Sequence, residues 1–155
     1  MSPLSAEPAG APDVQTMSIE TGNPQRDRQL VLVVEDNAHE REIYGRILWY
    51  NGFDVVFALS GEDALQIADE QRPDLVLLDL GLPDVSGLRV CEQLRQRAYM
   101  ANVPVIVLSG MARERHGPQL RRAGCTQYLE KPASPIAVLH EVERFIGRPP
   151  APGDF

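Results

Sequence analysis

Residues 75–79 read LVLLD, a short and unbroken apolar run that ends in a carboxylate. Similar runs occur at Leu30 to Val34 (LVLVV) and Val103 to Leu108 (VPVIVL), with weaker ones at Phe53 to Ala58 (FDVVFA) and Gln127 to Leu129 (QYL). Apolar character without alternation predicts strands that are covered on both faces, as in a parallel sheet sandwiched by helices. The chain therefore carries five candidate strands of one buried sheet.

The segments between these runs have the patterns of helices. Residues 38–50 are followed by Asn51-Gly52, where glycine supplies the left-handed residue that stops a helix. Ser60 with Asp63 resembles a capping box that opens a second helix. Apolar residues at helical spacing predict three more helices, around Leu88 to Leu94, around Leu120 to Ala123, and after Ser134-Pro135.

Strand and helix thus alternate five times. Because right-handed crossovers leave few arrangements, the predicted fold class is an open, doubly wound α/β sheet. A closed eight-fold barrel needs roughly 200 residues or more, and the chain has 155.

The two ends of the chain differ from its middle. Residues 1–27 are rich in Pro, Ala, Ser and Gly without an apolar period, which predicts a disordered leader, and residues 148–155 predict a flexible tail. Met17 is an alternative start. One domain at residues 28–147 is expected between these ends.

Charge and composition narrow the function. A net charge of −7 and a pI near 4.9 argue against a surface that neutralises nucleic-acid phosphates. We find no signal peptide, no apolar stretch that approaches ~20 residues, and no metal or disulfide motif around Cys91 and Cys125. The sequence predicts a soluble, cytoplasmic protein without a membrane or nucleic-acid partner.

Polar residues follow four of the five predicted strands. Glu35-Asp36 follow the first, Asp79 the third, Ser109 the fourth and Lys131 the fifth. Carboxyl ends of parallel strands meet at one edge of a sheet, where ligands bind. Clustered carboxylates take up protons or hold a cation, and hard oxygen ligands suit Mg²⁺. Each of these residues alone is ordinary in a turn or helix cap. Together, carboxylates, a hydroxyl and an ammonium are the groups that phosphoryl transfer uses.

Four stretches in this order resemble the receiver domain of two-component response regulators, over roughly residues 28–147: LVLVVEDN, PDLVLLDLGLPDVSG, VPVIVLSG and AGCTQYLEKP. The resemblance implies a flavodoxin-like fold, with a five-stranded parallel sheet in the order 2-1-3-4-5 and helices on both faces. It also implies a signalling switch, rather than an enzyme, that promotes its own phosphorylation and dephosphorylation.

The resemblance also assigns roles to residues. Asp79 is expected to accept the phosphoryl group from a sensor histidine kinase or a histidine phosphotransfer protein. Asp36 and Asp79 would bind Mg²⁺ directly, the Gly81 backbone carbonyl would join them, and Glu35 would act partly through water. Lys131 and Ser109 would bind phosphoryl oxygens, and the Lys131-Pro132 peptide bond is expected to be cis.

Signal output is expected to pass through a switch pair. In the family's pattern Ser109 moves toward the phosphoryl group and Tyr128 turns inward, which changes the surface for an unidentified protein target. The alternative is that Tyr128 is an ordinary half-packed strand aromatic. The oligomeric state stays open, with a homodimer as one option.

Other functions remain as alternatives. A stand-alone module is expected because no output segment follows Gly147 in this sequence, although a fragment of a longer regulator would look the same. A pseudo-receiver would bind partners without phosphorylation. A phosphatase of the haloacid dehalogenase type requires a second Asp two residues after the nucleophile, where this chain has Gly81.

Overall fold

The computed structural model describes residues 28–82, 86–110 and 113–149, except for the side chains of residues 113–116. The strands are β1 (Leu30–Val34), β2 (Asp54–Ala58), β3 (Leu75–Asp79), β4 (Val105–Ser109) and β5 (Gln127–Glu130). The helices are α1 (Ala38–Tyr50), α2 (Gly61–Gln71), α3 (Gly87–Arg95), α4 (Arg113–Ala123) and α5 (Pro135–Ile146), with a 3₁₀ turn at Ala98–Met100. The predicted leader at 1–27 and most of the predicted tail lie outside the described residues.

The five strands form one parallel sheet in the order β2-β1-β3-β4-β5, which confirms the predicted topology. Leu32 of β1 lies opposite Val56 of β2 and Val76 of β3. Asp79 lies opposite Leu108 of β4. The strand that ends in Asp79 is therefore the middle strand, and the carboxyl ends of β1 and β4 flank it.

Two apolar layers cover the sheet, as the unbroken runs predict. On one face, strand residues such as Leu78 pack with Ala64 of α2 and Leu94 of α3. On the other face, Leu77 packs with Leu48 of α1 and Val138 of α5. Every residue of β1, β3 and β4 is buried, whereas β5 at the sheet edge is half-buried or exposed. Each fully buried Leu or Val contributes about 1.5–3 kcal/mol of apolar transfer.

Side-chain caps fix where helices begin. Ser60 accepts a hydrogen bond from the Asp63 amide and Ser134 accepts one from the Ala137 amide, so both predicted helix starts are confirmed. Asn37 and Ser86 cap α1 and α3 in the same way. Asn37, Ser60 and Ser134 each follow a strand by two to four residues, so these three caps also hold loops at the carboxyl edge.

The fourth strand begins two residues later than its apolar run suggests, at Val105 rather than Val103. Pro104 has no N–H to donate to a neighbouring strand. Its carbonyl still accepts a hydrogen bond from the Val76 amide at 2.9 Å, so the backbone is already aligned with β3 at this point.

Within the described ranges, no helix is long and apolar enough to span a membrane.

Gly87 couples the start of α3 to the end of β3. A Cβ atom at this position would lie 2.7 Å from the Leu80 Cα atom and 2.9 Å from the Asp79 carbonyl oxygen. Both are backbone atoms, so neither moves aside without displacing the segment that carries Asp79.

We predict that Gly87→Ala lowers the free energy of unfolding by about 1–3 kcal/mol, because the added methyl group overpacks a backbone contact. Equilibrium urea unfolding measures this change. Gly110→Ala is the matched control, since a Cβ atom at Gly110 meets no atom of the described residues within 4 Å, and its expected change is within about 0.5 kcal/mol. Equal stability of Gly87→Ala and the native protein would contradict the prediction.

Candidate functional site

Asp79 occupies the last position of β3, at the centre of the carboxyl edge. Its residue surface is 7% exposed, and its Oδ1 atom accepts a hydrogen bond from the Gly81 amide at 3.1 Å. A Cβ atom at Gly81 would lie 3.8 and 3.9 Å from the two carboxylate oxygens. Glycine at this position therefore keeps a side chain from standing over Asp79.

The acidic pair follows β1 directly. Glu35 extends the strand by donating its amide to the Ala58 carbonyl at 3.0 Å, and it is buried, whereas Asp36 is exposed. One carboxylate oxygen from each of Glu35, Asp36 and Asp79 lies within 4.8 Å of the others. The sequence placed these residues at one edge, and the structure brings them together.

The backbone under the acidic pair is held by Arg41 of α1. Its Nη1 atom donates to the carbonyl oxygen of Glu35 at 3.0 Å and to that of Asp36 at 2.9 Å. The Asn37 amide also donates to Glu35 Oε2 at 3.3 Å. These bonds restrict the loop, and so they restrict where both carboxylates can point.

Lys131 is the cation of the site. Its Nζ atom lies 3.2 Å from Glu35 Oε1, 3.3 Å from Glu40 Oε1 and 3.4 Å from Asp79 Oδ1. The Lys131 amide donates to the Ser109 carbonyl at 2.8 Å, which ties the loop after β5 to the end of β4. The Lys131-Pro132 peptide bond is cis, as expected.

Among the described side chains, carboxylates outnumber cations in this pocket. Burial raises the pKa of Glu35 from 4.5 to about 7, and repulsion from Asp79 adds to the rise, while Lys131 opposes it. Burial lowers the pKa of Lys131, but the attraction of Glu35 and Asp79 outweighs it and the net shift is upward. Lys131 therefore stays charged among an excess of carboxylates, and their hard oxygen atoms fit a divalent cation such as Mg²⁺.

The two predicted switch residues lie on neighbouring strands, β4 and β5. Ser109 is buried at the last position of β4, opposite Glu130 of β5. Tyr128 lies opposite Val107 and is half-buried against the apolar layer that contains α2 and α3. Both positions are compatible with a switch and with ordinary packing, so the switch role stays a prediction.

Sequence reasoning missed two residues of the site, Glu40 and Arg41. Both lie in the first turns of α1, three and four residues after its cap Asn37. The sequence signal for them is their spacing from the acidic pair. A residue one helical turn after the cap faces the same side of the helix as the cap and lies only about 5.4 Å further along the axis. Their exact partners depend on how α1 lies across the sheet.

The fold agrees with comparisons to known proteins. Residues 31–143 match the family described as the response regulator receiver domain. The polar-differentiation response regulator DivK of Brucella anthropi is 32% identical over 117 residues, which cover 76% of this chain and 95% of DivK. The chain belongs to the response regulator receiver domain family of two-component systems, which confirms the resemblance read from its motifs.

Solved structures of other proteins share this fold. The receiver domain of the sensor histidine kinase PA1611 from Pseudomonas aeruginosa PAO1, determined with a magnesium ion coordinated in its active site cleft, is 29% identical with a TM-score of 0.71. The match covers 77% of this chain and 98% of that domain. CheY4 of Vibrio cholerae, at 24% identity over 76% of this chain and 98% of its own, shares the fold with a TM-score of 0.73.

The raised pKa of Glu35 predicts a pH-dependent stability of the metal-free protein. Folded Glu35 keeps its proton up to about pH 7, whereas its usual value is 4.5. Its contribution to stability is therefore complete below the usual value and is lost as the pH rises through about 7. The full shift corresponds to about 3 kcal/mol.

In the presence of a chelator, Glu35→Gln is expected to lose less stability than the native protein between about pH 5 and about pH 8, because glutamine has no proton to release. Urea unfolding at both pH values measures the difference. If the free energies of unfolding of the two proteins differ by the same amount at both pH values, Glu35 does not titrate in this range.

Proposed function

We propose that this protein is a phosphorylation-controlled switch in which Asp79 accepts a phosphoryl group from a phosphohistidine of a sensor kinase or phosphotransfer protein. The observation that carries the proposal is that charged groups converge on Asp79. The Asp79 Oδ1 atom lies 3.4 Å from the Lys131 ammonium. One carboxylate oxygen each from Asp79, Glu35 and Asp36 lies within 4.8 Å of the others. An acceptor, a fixed cation and a cation-binding acid pair are the parts that phosphoryl transfer needs.

The transfer step uses the Asp79 carboxylate as nucleophile. One carboxylate oxygen forms a bond to phosphorus while the bond between phosphorus and the donor imidazole nitrogen breaks, and the electron pair of that bond stays on the imidazole. Negative charge is spread over the phosphoryl oxygens during transfer. Lys131, whose ammonium lies 3.4 Å from Asp79 Oδ1, would pair with one of these oxygens. Ser109 on the next strand would donate a hydrogen bond to another.

The carboxylates of Asp36 and Asp79 and the backbone carbonyl of Gly81 would hold Mg²⁺, with Glu35 acting through water. When bound, this ion neutralises charge on the phosphoryl oxygens. The excess of carboxylates over the single ammonium supports this assignment, and so does the magnesium-containing receiver domain from Pseudomonas. Arg41 contributes by fixing the two carbonyls beneath the acid pair.

The output of the switch would be a change in protein binding. Ser109 would move toward the phosphoryl group, and Tyr128 would then turn inward. These two movements would alter the face formed by β5 and its neighbouring helices. DivK is covered almost completely by the match, which supports action as a single-domain regulator. A pseudo-receiver that works without phosphorylation is the less favoured alternative, because the acceptor, the acid pair and the lysine are all in place.

We predict that the native protein gains the mass of one phosphoryl group when incubated with Mg²⁺ and phosphoramidate, and that Asp79→Asn does not, because an amide is a poor nucleophile. Intact-protein mass spectrometry gives the result directly. A native protein without added mass, or an Asn variant that gains as much, would remove Asp79 as the acceptor.

The metal assignment has its own test. Mg²⁺ that binds the folded state is expected to raise the melting temperature, because a ligand stabilises the state it binds. Asp36→Asn should lose most of this increment, since one of three clustered carboxylates is gone. Asp63→Asn, an exposed first-turn change on α2 outside the cluster, should retain it. Equal increments in both variants would place the ion elsewhere.

A further inference from the structure

Glu40 is a fourth carboxylate at the site, and it has no part in the proposed phosphoryl transfer or Mg²⁺ binding. It lies in the first turn of α1, where its amide donates to the side chain of the cap Asn37 at 3.0 Å. Both of its carboxylate oxygens are near the Lys131 ammonium, Oε1 at 3.3 Å and Oε2 at 3.4 Å. The contact joins α1 to the loop after β5.

This contact adds a third carboxylate beside Lys131. An ammonium group has three protons to donate, and three carboxylates from three segments surround this one: Glu35, Glu40 and Asp79. A phosphoryl oxygen on Asp79 would take over the Asp79 contact, and it would then share the ammonium protons with Glu35 and Glu40, which compete with it.

The burial of the carboxylates indicates which competing contact is released at least cost. The Glu35 side chain is 2% exposed and that of Asp79 is 9% exposed, whereas the Glu40 side chain is 32% exposed. A buried carboxylate that loses its partner bears a large desolvation cost, but a partly exposed one is rehydrated. Glu40 is thus the partner that Lys131 releases at least cost.

The negative charge of the phosphoryl group also favours the release of Glu40 from Lys131. A protein phosphoryl group carries about −1.5 to −2 charge near neutral pH, so phosphorylation makes the pocket more negative than the Asp79 carboxylate did. Glu40 adds a further negative charge close to the cation that the phosphoryl oxygen needs. It competes for that cation both before and after transfer.

We propose that Glu40 is a positioning residue that holds Lys131 in the unphosphorylated state and competes with the phosphoryl oxygens for it, and thereby slows phosphorylation of Asp79. The inference rests on the proposed function, since it concerns the rate of the same transfer. Glu40 acts through Lys131 and touches no reacting atom.

The test is a double-mutant cycle on the rate of phosphorylation by phosphoramidate at saturating Mg²⁺, followed by intact-protein mass spectrometry. The four proteins are the native chain, Glu40→Gln, Lys131→Met and the double variant. Glu40→Gln is expected to accelerate phosphorylation about three- to tenfold, as removal of one competing charge near the cation allows. In the Lys131→Met background the same change is expected to have less than about a twofold effect, because the contested cation is absent.

Two further variants serve as controls. Glu42→Gln removes the same charge from the same helix, but Glu42 pairs with Arg46 at 3.1 Å instead of Lys131, so its rate should equal the native rate. Glu40→Asp keeps the charge but withdraws the carboxylate by one methylene, and it is expected to give an intermediate acceleration. Thermal unfolding of each variant shows whether it is folded, and Glu40→Asp carries the test if Glu40→Gln is not.

A Glu40→Gln rate equal to or below the native rate would overturn the proposal while leaving Asp79 as the acceptor. An equal acceleration with and without Lys131 would also overturn it, because Glu40 would then act only through the general field. If the native protein gains no phosphoryl group, or Asp79→Asn gains one equally, the proposed function itself fails and the role of Glu40 fails with it.

Discussion

The site depends on one ion-pair cluster, the Lys131 ammonium surrounded by carboxylates from the loop after β1, from α1 and from β3. Burying several carboxylates together is unfavourable unless a cation accompanies them. Lys131 provides that cation, and it is held by a backbone bond from its own amide to the Ser109 carbonyl at the end of β4. The pairing thus joins four of the segments at the carboxyl edge.

This arrangement is not optimised for stability. The pKa of Glu35 is raised to about 7, chiefly by burial and then by repulsion from Asp79, so its ionised form is unfavourable in the metal-free fold. Functional sites commonly retain such strain because chemistry requires charges that packing alone would avoid. Here the excess negative charge is what suits the pocket to a divalent cation.

Packing keeps the strained cluster in place. Residues of β1, β3 and β4 are buried on both faces, and the cap Asn37 holds the described loop that carries Glu35 and Asp36. Gly87 packs so closely on Leu80 and the Asp79 carbonyl that β3 and α3 are positioned together. The receiver family supplies this framework over residues 31–143, and Glu40 modifies the charge within it.

The sequence by itself determined the local and repetitive features: buried strands from unbroken apolar runs, helix starts at Ser60 and Ser134, and the presence of Asp79 and Lys131 at strand ends. These follow from short-range backbone preferences and from the parallel topology, which gathers strand ends at one edge. Only the tertiary structure decided that Glu35 is buried while Asp36 is exposed, and that Glu40 shares Lys131. Such contacts depend on how α1 crosses the sheet and how far side chains reach between segments distant in sequence, and no local pattern encodes that geometry.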